Sequence, residues 1–511
     1  MNMHATAPTH NAYRDHRIDT ALLLLIAAGF LILHVAVGGQ YGFQRDELAT
    51  LEDARHLATG YVAYPPVTPF FGRISLDLFG TSLRGFRFFA ALAQAVIAVL
   101  GGLMARELGG KRFAQVVAAL AVAISPVSLA SGALMQYVAF DYLFWVLTAY
   151  LLIRLLRTEN PRLWVPIGAA IGLGMMSKYS MLFFVAAILV GMLLTDARRY
   201  LFSRWLWIGV AVSLLIFLPN LIWQIHHNFV SLDFLHHIHA RDIRIGRTKH
   251  FLPEQIGIPA NIFTIPLWVA GLCFYFLAAQ GRRFRMLGWM FVVTLLMFIV
   301  AQGRSYYMAP AYPMLLAAGA VLEERWLHSL SAVPARMLRI ATFAFLAIGG
   351  VTAAAITLPL APVNSRWWQV ANKIDSDFRE EIGWPELVAE VAGIYNSLPP
   401  AERESTGILA ANYGEAGAIN LYGPAHSLPK AISGINSFWA YGYPSPPPTT
   451  LIVVGLGEEY RKEYFQSCEI AGRVTNPYGI QNEESEHPEI YLCRELRQSW
   501  PDFWKDFRYY G

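Results

Sequence analysis

Eleven apolar stretches run through this 511-residue chain and leave it few ways to fold. They cover approximately residues 20–38, 88–105, 113–131, 138–156, 162–176, 180–195, 204–225, 259–280, 286–301, 305–321 and 337–358, with the fifth, sixth and ninth the shortest. About 20 apolar residues in a helix span the roughly 30 Å hydrocarbon core of a bilayer. Inside that core the backbone must satisfy its own hydrogen bonds, which a helix does within one segment. The expected fold is an all-α multi-pass membrane domain with about eleven transmembrane helices plus interfacial helices. The first stretch is long, leucine-rich and poor in small residues that would mark a cleavage site, so it reads as a retained helix rather than a signal peptide.

Only 15% of the residues are charged, against roughly 25% in soluble domains, which argues against a soluble enzyme. The scarcity belongs to one part of the chain. Up to Leu360 there are 28 Lys and Arg against 16 Asp and Glu, and beyond it 12 against 20. Cytoplasmic loops collect Lys and Arg. Six alternate turns hold two or three cations each, 17 in all, while the opposite side holds 11 gathered in four places. The N-terminus is therefore expected in the cytoplasm and the acidic tail outside the inner (plasma) membrane. A membrane domain over 1–360 and a small extracytoplasmic α/β domain over 361–511 follow. In the second, 408–411 and 451–455 read as short buried strands, each followed by a glycine-containing turn. Gly414 and Gly417 fit a tight strand-to-helix turn better than a phosphate loop. Cys468 and Cys493 lie in two short segments where an oxidising compartment permits a disulfide, whereas Cys273 reads as packing inside an apolar stretch.

The loop 39–87 is the richest polar segment of the membrane part. Leu48, Leu51, Ala54 and Ala58 recur three or four apart, with Glu47, Glu52, Asp53 and His56 on other faces, which predicts a helix lying in the interface plane. A second such helix follows Pro66 and ends near Gly80. By spacing alone Asp46 reads as the N-cap of the first helix. Asp141 is harder to place without function, because an Asp within a span costs on the order of 2.5–3.5 kcal/mol at the bilayer centre and such groups face water-filled cavities. With the orientation above, Asp46, Asp141, Lys178 and Arg304 share one outer level. Two acids and two bases at one depth describe either a polar cavity opening outward or mutual neutralisation between helices. The loop 226–258 carries six of the fourteen histidines with Arg241, Arg244, Arg247 and Lys249. His236, His237 and His239 are weak candidates for metal ligands, and contact with lipid phosphate accounts for the same residues. The residues point to no particular cofactor, a divalent metal is left open, and no nucleic-acid partner is expected.

Phe43-Gln-Arg-Asp-Glu-Leu48, Ala54-Arg-His-Leu-Ala-Thr-Gly-Tyr61, Tyr64-Pro-Pro66 and Leu103-Met-Ala-Arg-Glu-Leu-Gly-Gly110 closely resemble the amino-terminal half of bacterial membrane glycosyltransferases of family 39. Phe140-Asp141, Gly174-Met-Met-Ser-Lys-Tyr179, Arg304-Ser-Tyr-Tyr307 and Ser433-Gly-Ile-Asn-Ser-Phe438 are similar to later stretches of that family. The resemblance implies the GT-C fold shared with protein O-mannosyltransferases and lipid A aminoarabinose transferases. It also implies transfer of a sugar from a polyprenyl-phosphate donor to a lipid, glycan or protein acceptor at the outer face, among membrane lipids. It maps the acid that works at the acceptor hydroxyl onto Asp46, with Glu47 beside it and Asp141 as a further acid. Tyr64, Lys178 and Arg304, with Tyr306 and Tyr307, fall on the substrate or phosphate side. Tyr64 stands before Pro65-Pro66 where aminoarabinose transferases carry a phosphate-binding lysine, which speaks against that activity. The chemistry agrees: a carboxylate can take the proton of an attacking hydroxyl, and cations stabilise a departing phosphate. The rival class is a transporter or lipid flippase using the same buried charges. Against it stand the odd number of spans without inverted halves and the large outer domain.

Overall fold

The computed structural model describes residues 10–511, and most of them are helical. Six helices are long and apolar enough to cross a membrane: Arg17–Val37, Leu83–Glu107, Tyr137–Thr158, Arg204–His226, Ala279–Val300 and Ala332–Thr357. Two bent pairs raise the number to eight if each is one span. These are Arg112–Ala123 with Pro126–Ala133, bent by 62°, and Met181–Leu193 with Asp196–Phe202, bent by 109°. Length and composition thus support six to eight spans among the described residues, where the apolar stretches suggest about eleven. Proline explains part of the difference. The stretch 113–131 contains Pro126, which cannot donate a helical hydrogen bond, so one helix ends at Ala123 and another starts. In the same way Pro310 lies in a 3-10 segment, Ser305–Ala311, and Pro313 in the first turn of the helix Tyr312–Ser329, which splits the stretch 305–321.

The helices Leu83–Glu107 and Tyr137–Thr158 bury most of their length at the centre of the bundle. Small side chains let their neighbours come close, with Ala90, Ala98, Ala118 and Ala121 fully buried. On the periphery Leu25 and Leu215 stay 69% exposed, forming an apolar surface suited to lipid. Two shorter helices follow the first span. Arg45–Arg55 is shorter than its apolar pattern suggested, leaving Ala58 outside, and Leu48, Leu51 and Ala54 are fully buried against protein rather than laid on lipid. Val67–Phe79 begins after Pro66 and stops at Gly80, whose φ of 63° suits glycine and little else.

Beyond residue 360 a sheet forms from β1 (Thr406–Ala410), β2 (Ala431–Ile432), β3 (Thr450–Val454), β4 (Phe465–Arg473) and β5 (Glu489–Leu496), in the order β2-β1-β3-β5-β4. β1 runs parallel to β2 and β3, while β5 is antiparallel to β3 and β4. Cys468 and Cys493 are partners in the β4–β5 register and are joined by a disulfide. Strand alternation sorts the two faces. Leu409, Leu451 and Val453 pack with Phe503, Trp504 and Phe507. Ile408, Ala410, Ile452 and Val454 belong to the same apolar core as Trp384, Leu48 and Phe86, so that core runs unbroken from the membrane bundle into the sheet region.

One arginine rivets the junction. Arg87 donates to Glu47 at 2.6 Å, to Glu381 at 3.0 Å, and to the carbonyls of Gly38 and Gly42. All three charged side chains are at least 95% buried, so their mutual pairing is what makes the burial tolerable. Beside them the Trp384 indole donates to the Phe43 carbonyl at 2.9 Å.

Candidate active site

The helix Arg45–Arg55 starts with a reciprocal cap: the Gln44 side chain accepts from the Asp46 amide at 2.7 Å, and the Glu47 carboxylate accepts from the Gln44 amide at 2.9 Å. The N-cap is therefore Gln44, and Asp46 stands within the first turn with its side chain free for other work. A carboxylate there is favoured by the helix dipole. Glu47 points the other way. It is fully buried, held by Arg87, and accepts from the Met135 amide at 2.8 Å, so it belongs to the junction rather than to an open site.

Asp46 is only half-buried. Its Oδ1 accepts from the Tyr413 hydroxyl at 2.8 Å, and its Oδ2 has a longer contact, 3.4 Å, with the Gln136 amide. Tyr413 opens the helix Tyr413–Tyr422 that follows β1, and its ring lies 4.8 Å under the Arg45 guanidinium. Arg45 also pairs with Glu483. The helix reaches this place because of its glycines. A Cβ on Gly417 would sit 2.8 Å from that of Leu48 and 2.9 Å from the Leu48 carbonyl, and one on Gly414 would crowd Trp384. The Gly414/Gly417 pair thus serves close helix packing against Arg45–Arg55.

A second cluster gathers cations. The Lys178 ammonium lies 3.9 Å from the ring centroid of Tyr307, 4.9 Å from Tyr137 and 5.4 Å from Tyr306, a three-sided aromatic cage. Cation–π contacts of this kind are worth about 2 kcal/mol when desolvated. Asp141 is buried nearby, accepts from the Ser180 hydroxyl at 2.9 Å, and lies within electrostatic reach of Lys178. Arg304 forms a fork on Asp242, with contacts of 2.6 and 2.9 Å. Gln136 and Tyr137 join the two clusters, because the Gln136 amide contacts Asp46 while the neighbouring Tyr137 ring faces Lys178.

Of the residues expected at the site, Asp46, Asp141, Lys178, Arg304, Tyr306 and Tyr307 are brought together, while Glu47 and Tyr64 are engaged elsewhere. The Tyr64 hydroxyl donates to Asp53 at 2.6 Å, and Tyr441 donates to the other oxygen of Asp53 at 2.5 Å. Burial pushes the Asp53 carboxyl up to about 7 against the pull of these tyrosines. Among the described residues no three His, Cys, Asp or Glu side chains converge as metal ligands, so His236, His237 and His239 do not make a metal site. They follow one another along the helix Val230–Arg244. Tyr413, Gln136, Tyr137 and Asp242 were not singled out by the sequence. Asp242 sits within a basic loop that points to an acidic partner, but nothing in the sequence links Tyr413 to a residue 367 positions earlier.

Residues 63–223 match the model of the family described as dolichyl-phosphate-mannose-protein mannosyltransferase. The chain is 25% identical to lipid A galacturonosyltransferase RgtD of Rhizobium johnstonii over 390 residues, 73% of this chain and 77% of that one. It is 30% identical to undecaprenyl phosphate-alpha-4-amino-4-deoxy-L-arabinose arabinosyl transferase 1 of Pseudomonas fluorescens over 339 residues, 59% of each chain. ArnT from Cupriavidus metallidurans, solved with undecaprenyl phosphate bound, superposes with a TM-score of 0.59 at 16% identity, covering 93% of this chain and 98% of that one. These likenesses support a GT-C glycosyltransferase related to the protein mannosyltransferases and ArnT. An oligosaccharyltransferase from Archaeoglobus fulgidus shares the fold, with a TM-score of 0.53 at 14% identity over 86% of this chain and 68% of that one. A transporter reading is not favoured by these relatives. The molecule holds a half-exposed carboxylate, Asp46, and a cation in an aromatic cage, Lys178.

Proposed function

We propose that this enzyme moves a sugar from a polyprenyl-phosphate donor to an envelope glycolipid, polysaccharide or protein at the extracytoplasmic face of the inner membrane. The observation that carries the reading is that adjacent residues, Gln136 and Tyr137, touch a half-buried acid, Asp46, on one side and the Lys178 cage, with Arg304 beside Tyr306, on the other. Asp46 takes the proton of the acceptor hydroxyl. The acceptor oxygen bonds to the anomeric carbon, the carbon–oxygen bond to phosphate breaks, and the phosphate keeps the electron pair beside Lys178 and Arg304. Attack opposite the leaving group inverts the anomeric centre. Asp141 holds the Lys178 turn through Ser180. The Tyr306 and Tyr307 rings shield the ammonium from water, which strengthens its pull on phosphate.

The placement of the chain belongs to the same proposal. The cation count puts the N-terminus in the cytoplasm, and a disulfide between Cys468 and Cys493 suits an oxidising outer compartment for the tail. The domain boundary near 360 and the eleven crossings, counting short helices such as Trp164–Met175 and Ile265–Phe276, complete it. Mass spectrometry of envelope glycans and lipid-linked sugars tests the activity. Cells lacking the gene should accumulate one polyprenyl-phosphate sugar and lose the matching sugar from one acceptor, and restoring Asp46→Asn should not reverse either change. Unchanged lipid-linked sugars and glycans would refute the proposal.

A further inference from the structure

Among the described residues the C-terminal region hydrogen-bonds to Asp46 through one side chain, Tyr413, and that bond has a direction. Burial and the adjacent Asp46 carboxylate keep the Tyr413 phenol protonated, so the phenol donates and Oδ1 accepts. Among the described residues the other oxygen, Oδ2, meets only the longer 3.4 Å contact from Gln136, which also donates to Gln44 at 3.2 Å. The two oxygens are therefore unequal. We propose that Tyr413 is a positioning residue for the base: it occupies Oδ1 and leaves Oδ2 as the atom that takes the acceptor proton. The inference rests on the reading of Asp46 as the base and gives the sheet region a part in the chemistry.

The geometry supports this beyond one distance. Tyr413 cannot swing freely, because Arg45 stacks on its ring and its helix is seated on Leu48 by Gly417. The capping bond from the Asp46 amide to Gln44 fixes the backbone of the same residue. The groups facing Asp46 come from every element around it: Arg45 on its own helix, Gln136 and Tyr137 at the start of Tyr137–Thr158, Asp377 and Glu380 from the segment 376–381, and Tyr413. Of these, Tyr413 makes the shorter of the two side-chain hydrogen bonds to the carboxylate. In the step itself the acceptor O–H proton passes to Oδ2, the acceptor oxygen forms the glycosidic bond, and the released electron pair goes to phosphate. The Tyr413 proton stays on the phenol throughout.

A donor bonded to a carboxylate favours its charged form, so removing it raises the pH at which the acid ionises. Infrared titration of the purified full-length protein reads this without substrate: the carboxyl band that disappears in Asp46→Asn belongs to Asp46. In Tyr413→Phe its midpoint should rise. Transfer of the lipid-linked sugar extracted from cells lacking the gene should show about a tenfold lower kcat, an unchanged donor KM and an acid limb moved up by the same amount. Putting 3,5-difluorotyrosine at position 413 strengthens the donor without changing its shape, and should move the midpoint down, which guards against a folding defect in the Phe variant. If Asp46→Asn is inactive but neither substitution at 413 moves the midpoint or the acid limb, the positioning role is wrong and the base survives. If Asp46→Asn transfers sugar at the normal rate, the base reading itself falls, whatever the titration shows.

Discussion

The junction around Glu47 and the cleft around Asp46 start from neighbouring acids and end with opposite characters. Glu47 lies fully buried and accepts from Arg87, the Gln44 amide and the Met135 amide. Asp46 lies half-exposed and accepts one firm bond, from Tyr413, and one long one. The first arrangement stores no reactivity, because each oxygen already has partners in fixed places. The second keeps one oxygen available next to cations. On the proposed function, adjacent carboxylates on one helix turn thus separate into a structural acid and a chemical one, and the helix's 100° step per residue is what aims them at different surroundings.

The comparison predicts different failures on each side. Arg87→Ala should destabilise the folded protein by about 3–5 kcal/mol, since it strands Glu47 and Glu381 as buried charges. Thermal unfolding in detergent and the yield of folded protein check this, and a near-normal melting temperature would erase the distinction. On the other side, Lys178→Met keeps a chain of similar length within the three tyrosines, so folding should persist while kcat falls about 100-fold. Measured transfer with extracted donor decides it. Arg304→Lys should have a smaller effect, about tenfold, because it retains charge but loses the fork on Asp242.

A further comparison concerns pH. Asp53 has a folded-state value raised to about 7 from 3.8 by burial. Its protonated form is thus favoured by folding, and that contribution is complete below about pH 4 and lost as pH rises to about 7. Asp53→Asn should flatten this part of the melting-temperature profile by one proton's worth, measured between pH 4 and 7. An unchanged slope would show that Tyr64 and Tyr441 hold Asp53 charged throughout.

Local order was legible in the sequence. The two short helices after the first span, β1 and β3, and the non-phosphate role of Gly414 and Gly417 could each be read from spacing, because periodicity and turn chemistry act over a few residues, whereas the cysteine pairing stayed open until the β4–β5 register was known. Continuous apolarity was a poorer guide to spans, since Pro126 and Pro310 interrupt helices without making the stretch less apolar. The site was half legible. Asp46, Lys178 and Arg304 stood out as charges at one level, yet the same spacing misread Asp46 as the N-cap and could not tell it from Glu47. That distinction depends on Arg87 and Tyr413, which come from distant parts of the chain.

The most direct measurement compares Asp46→Asn with Glu47→Gln in membranes supplied with the labelled polyprenyl-phosphate sugar. The account predicts that Asp46→Asn folds normally and loses transfer by about 1,000-fold or more, as expected for removal of a general base. Glu47→Gln should instead lower the melting temperature while the surviving folded fraction transfers sugar at a rate within about tenfold of normal. Near-normal transfer by Asp46→Asn, or a well-folded and inactive Glu47→Gln, would contradict it.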